Sequence, residues 1–258
     1  MFLAIDVGNT ETVIGVFDAD APIADDPKDH WRLATQENRT ADELALMVRA
    51  YLLFSRCEFA DVTAVAISSG VPQVTSALRQ MCQRYLPVPP LVVEPGVRTG
   101  ISILYDNPKE VGADRIANAV AAVETYGTPC VVVDFGTATT FDGISANGEY
   151  LGGAICPGVE ISANALFDRA ALLRRVELVP PKNVIGRSTA EAIQSGMIHG
   201  FTGQTDHMVD LFREELGGGE VVATGGLASV VAPHCETIDH IDPWLTLRGL
   251  RIIHSRNQ

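Results

Sequence analysis

The chain has 258 residues, and its composition, with 47% hydrophobic residues and a mean hydropathy of +0.16, excludes an intrinsically disordered protein. This length suits one large or two compact domains. Acidic residues outnumber basic ones 32 to 19, and the formal charge of -13 argues against binding nucleic acid or anionic lipid through a broad basic surface. Any anionic ligand must therefore be bound at a local site.

The cysteines and the first residues indicate a cytoplasmic protein. Five cysteines lie far apart, without a CxxC pair or zinc-finger spacing, which is typical of reduced thiols in the cytosol. The opening MFLAIDVGNT has no basic segment before its apolar run, unlike a secretory signal. The apolar stretches are also shorter than the roughly 20 residues that cross a bilayer. We therefore expect no membrane and no nucleic-acid partner.

The chain begins with a predicted β-hairpin that recurs in its second half. Residues 3–17, LAIDVGNTETVIGVF, have the pattern of a strand ending in aspartate, a glycine-containing turn and a second strand. Residues 131–144, VVVDFGTATTFDGI, repeat this pattern. Three pairs of residues match at an offset of 128: Asp6 with Asp134, Gly8 with Gly136, and Thr12 with Thr140. The sequence therefore predicts a duplicated fold.

Strand and helix patterns alternate along the rest of the chain. Thr40–Glu43 is a predicted capping box at the start of the first helix, and Ser188–Glu191 is a second one at the start of a long helix ending near Glu215. The other predicted elements are a strand at 62–68, a helix at 74–85, a strand at 91–93, a helix at 114–126, a helix after Pro157-Gly158, and a strand at 220–223 followed by a short helix. This order predicts two α/β domains that face each other, and we place them at 1–118 and 119–258.

The turn of the first hairpin has the residue types of a phosphate site. A strand ending in Asp6, a glycine that allows close approach, and the polar Asn9 and Thr10 can hold phosphate oxygens and a hydrated divalent cation. An ordinary hairpin explains the Gly-Asn pair equally well, because this pair is good turn chemistry. The second copy, beginning at Asp134, favours the phosphate site, since two such loops could bind one triphosphate between two domains.

Two further motifs place polar groups or glycines at helix starts. Asp114 in the segment Gly112-Ala113-Asp114-Arg115 fits a helix cap or a partner of the helix dipole. Beside Arg115, however, its carboxylate could receive a hydroxyl proton while the guanidinium binds a carboxylate or phosphate. The segment ATGGLA at 223–228 suits the passage of a base or ribose over the backbone, although this signal is weak. The sequence contains no GxxxxGK[ST] motif and no GxGxxG after the first strand.

Together these segments resemble type III pantothenate kinase. The resemblance rests on DVGNTETVIGVFD, WRLATQENRTADEL, NPKEVGADRIANAVAA, VVVDFGTATTFD, GGAICPGV, STAEAIQSG and ATGGLA, in the family's order over nearly the whole chain. It implies a duplicated actin-like (ribonuclease H-like) α/β fold of the acetate kinase, sugar kinase, Hsp70 and actin superfamily, with two facing domains. It also implies ATP-dependent phosphorylation of pantothenate to 4'-phosphopantothenate, the first step of coenzyme A biosynthesis. The implied enzyme is a cytoplasmic homodimer that uses Mg²⁺ and a monovalent cation, K⁺ or NH₄⁺.

The resemblance implies a role for residues in each motif. Asp114 would be the catalytic proton acceptor, and Asp134 would bind the monovalent cation. The substrate would be bound by Tyr105, Gly112, Ala113, Asp114, Arg115 and Thr189. ATP would be bound by Asp6, Val7, Gly8, Asn9, Thr10, Glu11, Thr12, Val13 and Thr137. A loop aromatic explains Tyr105, and a helix-start hydroxyl explains Thr189, without any contact to substrate.

Two other functions compete with this one. Another kinase or a phosphohydrolase of the same superfamily would share the Asp-x-Gly loops but act on a different substrate. A nucleotide-binding regulator, the role for which some relatives of the family are named, could keep both loops without turnover. The Gly112–Arg115 segment favours an enzyme, because a pure binder has no physical reason to keep this carboxylate and guanidinium.

Overall fold

A computed structural model of the chain describes residues 1–169 and 175–258, which divide into two compact units. Unit one comprises Met1–Ala121 and Trp244–Gln258, and unit two comprises Ala122–Pro243. The expected domains were 1–118 and 119–258. The division differs mainly at the C-terminus, because Trp244–Gln258 belongs to unit one. The reason is that the C-terminal helix packs against strands of unit one.

Unit one contains a five-stranded mixed sheet. Strands β1 (Phe2–Val7), β2 (Glu11–Phe17) and β3 (Asp29–Ala34) are antiparallel neighbours. Strand β4 (Ala64–Ser69) runs parallel to β1, and β5 (Pro90–Val92) runs parallel to β4. The strand order is β3-β2-β1-β4-β5. The predicted hairpin and the two later strands are confirmed, whereas β3 is an element that the sequence pattern did not predict.

Two helices cover one face of this sheet. Helices α1 (Ala41–Phe54) and α2 (Pro72–Tyr85) pack against each other and share one apolar core with the sheet. The capping box of α1 is confirmed, because the Thr40 hydroxyl accepts the Glu43 N–H while the Glu43 carboxylate accepts the Thr40 N–H. Helix α2 begins two residues before the predicted start, since proline is favourable at the first helical position.

The opposite face of the sheet is covered by the C-terminal helix, α7 (Leu245–Ser255). Its Leu247 lies against Gly15 of β2, where an added Cβ would be 2.6 Å from the leucine Cδ1. Gly249 of α7 approaches α3 (Ala113–Tyr126), the predicted helix at 114–126. Helix α7 is therefore part of the fold of unit one.

Unit two repeats the topology of unit one. Strands β6 (Cys130–Phe135), β7 (Ala138–Ile144) and β8 (Tyr150–Pro157) are antiparallel neighbours. Strand β9 (Glu220–Thr224) runs parallel to β6, and β10 (His240–Ile241) runs parallel to β9. The order β10-β9-β6-β7-β8 matches that of unit one when β6 is equated with β1. The predicted duplication is therefore confirmed in the strand order.

The helices of unit two are α4 (Val159–Arg169), α5 (Thr189–Leu216) and the short α6 (Ala228–Val231). The Ser188 hydroxyl accepts the Glu191 N–H as predicted, but the Glu191 carboxylate accepts the N–H of Arg187 at 2.7 Å. Only the Ser188 half of this predicted capping box is thus confirmed. Over the ranges that the structure describes, no helix is both long and apolar enough to span a membrane.

The register of the two hairpins corrects one of the matched pairs. Asp6 pairs with Val13 across the first hairpin, whereas Asp134 pairs with Thr140 across the second. The second turn is one residue shorter than the first, so Thr140 is the counterpart of Val13. The match of Thr12 with Thr140 was wrong, because a constant offset cannot represent turns of different length.

Candidate active site

The loop between β1 and β2 is held by backbone and side-chain hydrogen bonds. The Gly8 N–H donates to the Glu11 carbonyl at 3.0 Å, and a Cβ at position 8 would also lie 3.0 Å from that oxygen. Thr35, which follows β3, donates its N–H to the Thr10 carbonyl at 2.9 Å and its hydroxyl to the Gly8 carbonyl at 2.8 Å. Asn9 and Thr10 stay exposed at the tip. The sequence analysis did not identify Thr35 as a support of this loop.

Asp6 lies next to the end of β1, and its carboxyl group has an unusual pKa. Burial raises the pKa of Asp6 from its ordinary value of 3.8 to about 7, and the negative charge of Asp114 contributes to the rise. The hydroxyl of Ser68 donates to Oδ1 of Asp6, and both this bond and the charge of Arg32 lower the pKa in part. A carboxyl group that titrates near neutral pH is common at functional sites.

The first turn of α3 holds Asp114 and Arg115. Oδ1 of the exposed Asp114 accepts the Arg115 N–H at 2.8 Å. An added Cβ at Gly112 would lie 2.4 Å from the same oxygen, so this carboxylate position requires glycine at 112. Arg115 is buried. The negative charge of Asp114 acts on Asp6, so the Gly112–Arg115 segment lies within electrostatic range of the Asp-x-Gly loop of unit one.

The Asp6 and Asp114 carboxylates fit a hydrated divalent cation. In the described parts of the chain, no three His, Cys, Asp or Glu side chains form a metal-binding group. Mg²⁺ needs no such group, since it usually keeps several waters and binds through one or two carboxylates and substrate phosphates. Burial is the main cause of the raised pKa of Asp6, and a cation would offset the smaller contribution from the negative charge of Asp114. Asp6 and Asp114 could therefore hold Mg²⁺ together with substrate phosphates.

The second Asp-x-Gly loop lies beside two glycines of unit two. An added Cβ at Gly225, whose φ is +96°, would lie 2.4 Å from Oδ1 of Asp134. An added Cβ at Gly158, which follows β8, would lie 2.1 Å from the carbonyl oxygen of Thr137. The ATGGLA segment thus packs directly against the Asp134 carboxylate. Sequence reasoning selected both segments but gave no reason to place them together.

Two of the predicted substrate residues lie outside the loops described above. Tyr105 is half-buried in the loop before the short 3-10 helix Pro108–Glu110. Thr189 is the exposed first residue of α5 in unit two. Their predicted contact with substrate rests on the resemblance alone.

The raised pKa of Asp6 predicts how the stability of the ligand-free protein depends on pH. The native carboxyl holds its proton up to about pH 7, whereas the unfolded one loses it near 3.8, so the free energy of unfolding falls as pH rises between these values. Asparagine at position 6 cannot ionise, so Asp6→Asn removes the free-energy cost of a buried negative charge in the native state at high pH. We expect it to stabilise the magnesium-free protein by about 2–4 kcal/mol at pH 8 and by almost nothing at pH 4.

Denaturant unfolding in EDTA at both pH values measures this difference. Asp20→Asn, which changes an exposed carboxylate of unit one, is the matched control and should show no such pH dependence. An Asp6→Asn effect of equal size at pH 4 and pH 8 would contradict the raised pKa.

Residues 2–211 of the chain match the family described as "Type III pantothenate kinase". The chain belongs to the type III pantothenate kinase family. It is 51% identical over 262 residues to the type III pantothenate kinase of Thermobifida fusca (strain YX), with 100% of both chains covered. It is 52% identical over 266 residues to that of Streptomyces avermitilis, with 100% of this chain and 98% of the relative covered.

Solved structures show the fold of this family member. The chain superposes with a TM-score of 0.61 and 19% identity on a conserved Campylobacter jejuni protein assigned to the Baf family of transcriptional activators, covering 99% and 98% of the two chains. A protein described as a 2-dehydro-3-deoxygalactonokinase from Sinorhizobium meliloti superposes with a TM-score of 0.59 and 14% identity, with 100% of this chain and 96% of that chain covered. An Arthrobacter polyphosphate/ATP-glucomannokinase superposes with a TM-score of 0.52 and 12% identity, with 100% of this chain and 99% of that chain covered. The expected duplicated actin-like fold is confirmed.

Proposed function

We propose that this chain is a phosphotransferase that uses ATP to phosphorylate pantothenate to 4'-phosphopantothenate, the first step of coenzyme A biosynthesis. The observation that carries the proposal is the 51% identity to a type III pantothenate kinase over the full length of both chains. The Asp6 and Asp114 carboxylates of unit one support it, because phosphoryl transfer to a hydroxyl group needs charge neutralisation and a proton acceptor.

In this proposal Asp114 accepts the proton of the pantothenate 4'-hydroxyl. Its exposed carboxylate is held in place by the Arg115 N–H, and the adjacent guanidinium contributes positive charge. Bound Mg²⁺ neutralises charge on the ATP phosphates. The phosphate loop is Asp6–Val13, with Thr137 as a second nucleotide contact. The remaining substrate contacts are Tyr105, Gly112, Ala113 and Thr189.

A homodimer in the cytoplasm is part of the same proposal. The resemblance to the family supports the dimer. The formal charge of -13 supports the absence of a nucleic-acid partner, because phosphate backbones are bound by positive surfaces.

We further propose that Asp134 binds a monovalent cation, K⁺ or NH₄⁺. Gly225 packs closely against Asp134, since an added Cβ there would lie 2.4 Å from Oδ1, and the carboxylate therefore has a fixed place beside the second Asp-x-Gly loop. A carboxylate beside a bound triphosphate would be repelled unless a cation lies between them.

This cation role predicts a specific loss of activation. We expect low activity in sodium-only buffer and a rise on adding KCl or NH₄Cl, because Na⁺ is smaller than either activating ion. Asp134→Asn should lose this rise, whereas Asp210→Asn, at an exposed position of α5, should keep it. Steady-state rates in matched ionic strength provide the measurement. Equal rates of the wild-type protein in sodium and potassium would contradict the proposal.

A panel of acceptors tests the proposed substrate. ADP release with MgATP should be fast with pantothenate and slow with other hydroxylated metabolites, including sugars and sugar acids. Fast release with a different acceptor and none with pantothenate would favour another kinase of the superfamily. Nucleotide binding without ADP release on any acceptor would favour a regulator.

A further inference from the structure

Ser68 is a fully buried hydroxyl at the end of a strand that is otherwise apolar in its buried part. It lies in β4, where Val65, Ala66 and Ile67 precede it with no solvent exposure. A buried hydroxyl is unfavourable unless it forms a hydrogen bond, and Ser68 donates to Oδ1 of Asp6. The aspartate of the Asp-x-Gly loop therefore has a hydrogen-bond donor inside the sheet.

The strand register makes this contact a property of the fold. Strands β1 and β4 are parallel, and Asp6 lies directly beside Ser68 in the ladder. Neighbouring residues on each strand alternate between faces, so Asp6 and Ser68 point away from the core that contains Ile5 and Ile67. They point to the face on which α7 packs, and the charge of Asp114 also acts on Asp6.

Unit two has a hydroxyl residue in the corresponding place. Strands β6 and β9 are parallel, and Asp134 lies beside Thr224 in that ladder. Thr224 is 1% exposed and Ser68 is 0% exposed. The sequences around the two residues differ, ISSG in unit one and VATGG in unit two. In both units, the aspartate of the Asp-x-Gly loop is thus paired in the strand register with a hydroxyl residue of the neighbouring parallel strand.

We infer that Ser68 is a positioning residue whose hydroxyl holds the Asp6 carboxylate in the orientation that binds the magnesium-nucleotide complex. The inference rests on the proposed function. Ser68 does not touch substrate. It acts through Oδ1 of Asp6, the oxygen to which it donates. Its removal therefore weakens the binding of MgATP and leaves the pantothenate contacts unchanged.

Ser68→Ala tests this role, with Ser69→Ala as the matched control. Ser69 is the next hydroxyl along β4, and it exchanges hydrogen bonds with the backbone of Val71 and not with Asp6. Loss of a hydrogen bond to a charged group changes an equilibrium constant by roughly tenfold or more. We expect Ser68→Ala to raise the KM for MgATP and the Kd for MgADP, measured by calorimetry, about tenfold. The pantothenate KM should change less than about twofold, and Ser69→Ala should match the wild-type protein in all three constants.

A double-mutant cycle assigns the effect to Asp6. In the Asp6→Asn background, Ser68→Ala should change the Kd for MgADP by less than about twofold, because the group that Ser68 positions has lost its charge. A tenfold effect that persists in that background would overturn the inference, as would an unchanged Kd in the single variant. Wild-type protein that binds MgADP with the expected Ser68 dependence but does not phosphorylate pantothenate would instead contradict the proposed function.

Discussion

Replacing Asp114 with asparagine should lower kcat by at least about 100-fold, because positioned proton transfer contributes roughly 100- to 10,000-fold to rates. The side chain has two possible roles, proton acceptor and helix cap. Its Oδ1 does accept the Arg115 N–H at 2.8 Å at the start of α3. Asparagine keeps an oxygen in that place and keeps nearly the same size, but it carries no charge. The substitution therefore removes the catalytic role and preserves the cap.

A stability measurement shows whether a loss of kcat in Asp114→Asn reflects a loss of folding. Loss of a cap costs about 1 kcal/mol. Asp114→Asn should instead leave the melting temperature at pH 8 equal to or above that of the wild-type protein, because it also removes repulsion with Asp6. The control is Glu160→Gln, which changes an exposed acid in the first turn of α4. Near-normal kcat in a folded Asp114→Asn protein would contradict the role of Asp114 as proton acceptor.

Replacing Gly249 with alanine should strongly destabilise unit one. An added Cβ at position 249 would lie 1.9 Å from the carbonyl oxygen and 2.5 Å from the carbonyl carbon of Ala117. Both atoms belong to the backbone of α3, so neither can move without shifting the helix that carries Asp114. Forcing extra atoms into a packed core typically costs 1–3 kcal/mol, and we expect about 3 kcal/mol or more here, a fall in melting temperature on the order of 10 °C.

A second helical glycine provides the matched control for Gly249. Gly203 in α5 has no heavy atom within 4 Å of an added Cβ, so Gly203→Ala should be neutral or stabilising by up to about 1 kcal/mol. Thermal unfolding of both variants measures the contrast. Similar melting temperatures for Gly249→Ala and Gly203→Ala would contradict the close packing of α7 on α3.

The sequence predicted those parts of the fold whose signals are local. Both Asp-x-Gly hairpins, the Thr40 capping box and the helix that starts at Gly112–Arg115 follow from residues close together in the chain. Strand β8 was missed because its two glycines, in YLGGAICP, weaken the strand pattern. Helix α7 was missed because Arg248 and Arg251, which are both buried, interrupt its apolar spacing. The structure explains Arg251, whose guanidinium donates to the Pro22 carbonyl at 2.8 Å.

The contacts that define the candidate site depend on the register of distant strands. Asp6 was selected from its motif, but its partner Ser68 is 62 positions away and is placed by the parallel ladder of β1 and β4. Thr35 supports the same loop from the end of β3, which the sequence pattern did not predict. Local patterns contain no information about such pairings. They identified the residues that carry charge, and the fold shows which residues hold them.

The most direct test of the central claim is to identify the product. Purified protein should be incubated with MgATP, KCl and pantothenate, and the mixture should be examined by mass spectrometry and ³¹P NMR. We predict a phosphate monoester on the 4'-hydroxyl of pantothenate, formed in equal amount with ADP and absent when Asp114→Asn replaces the wild-type protein. ADP accompanied by inorganic phosphate, with pantothenate unchanged, would contradict the claim.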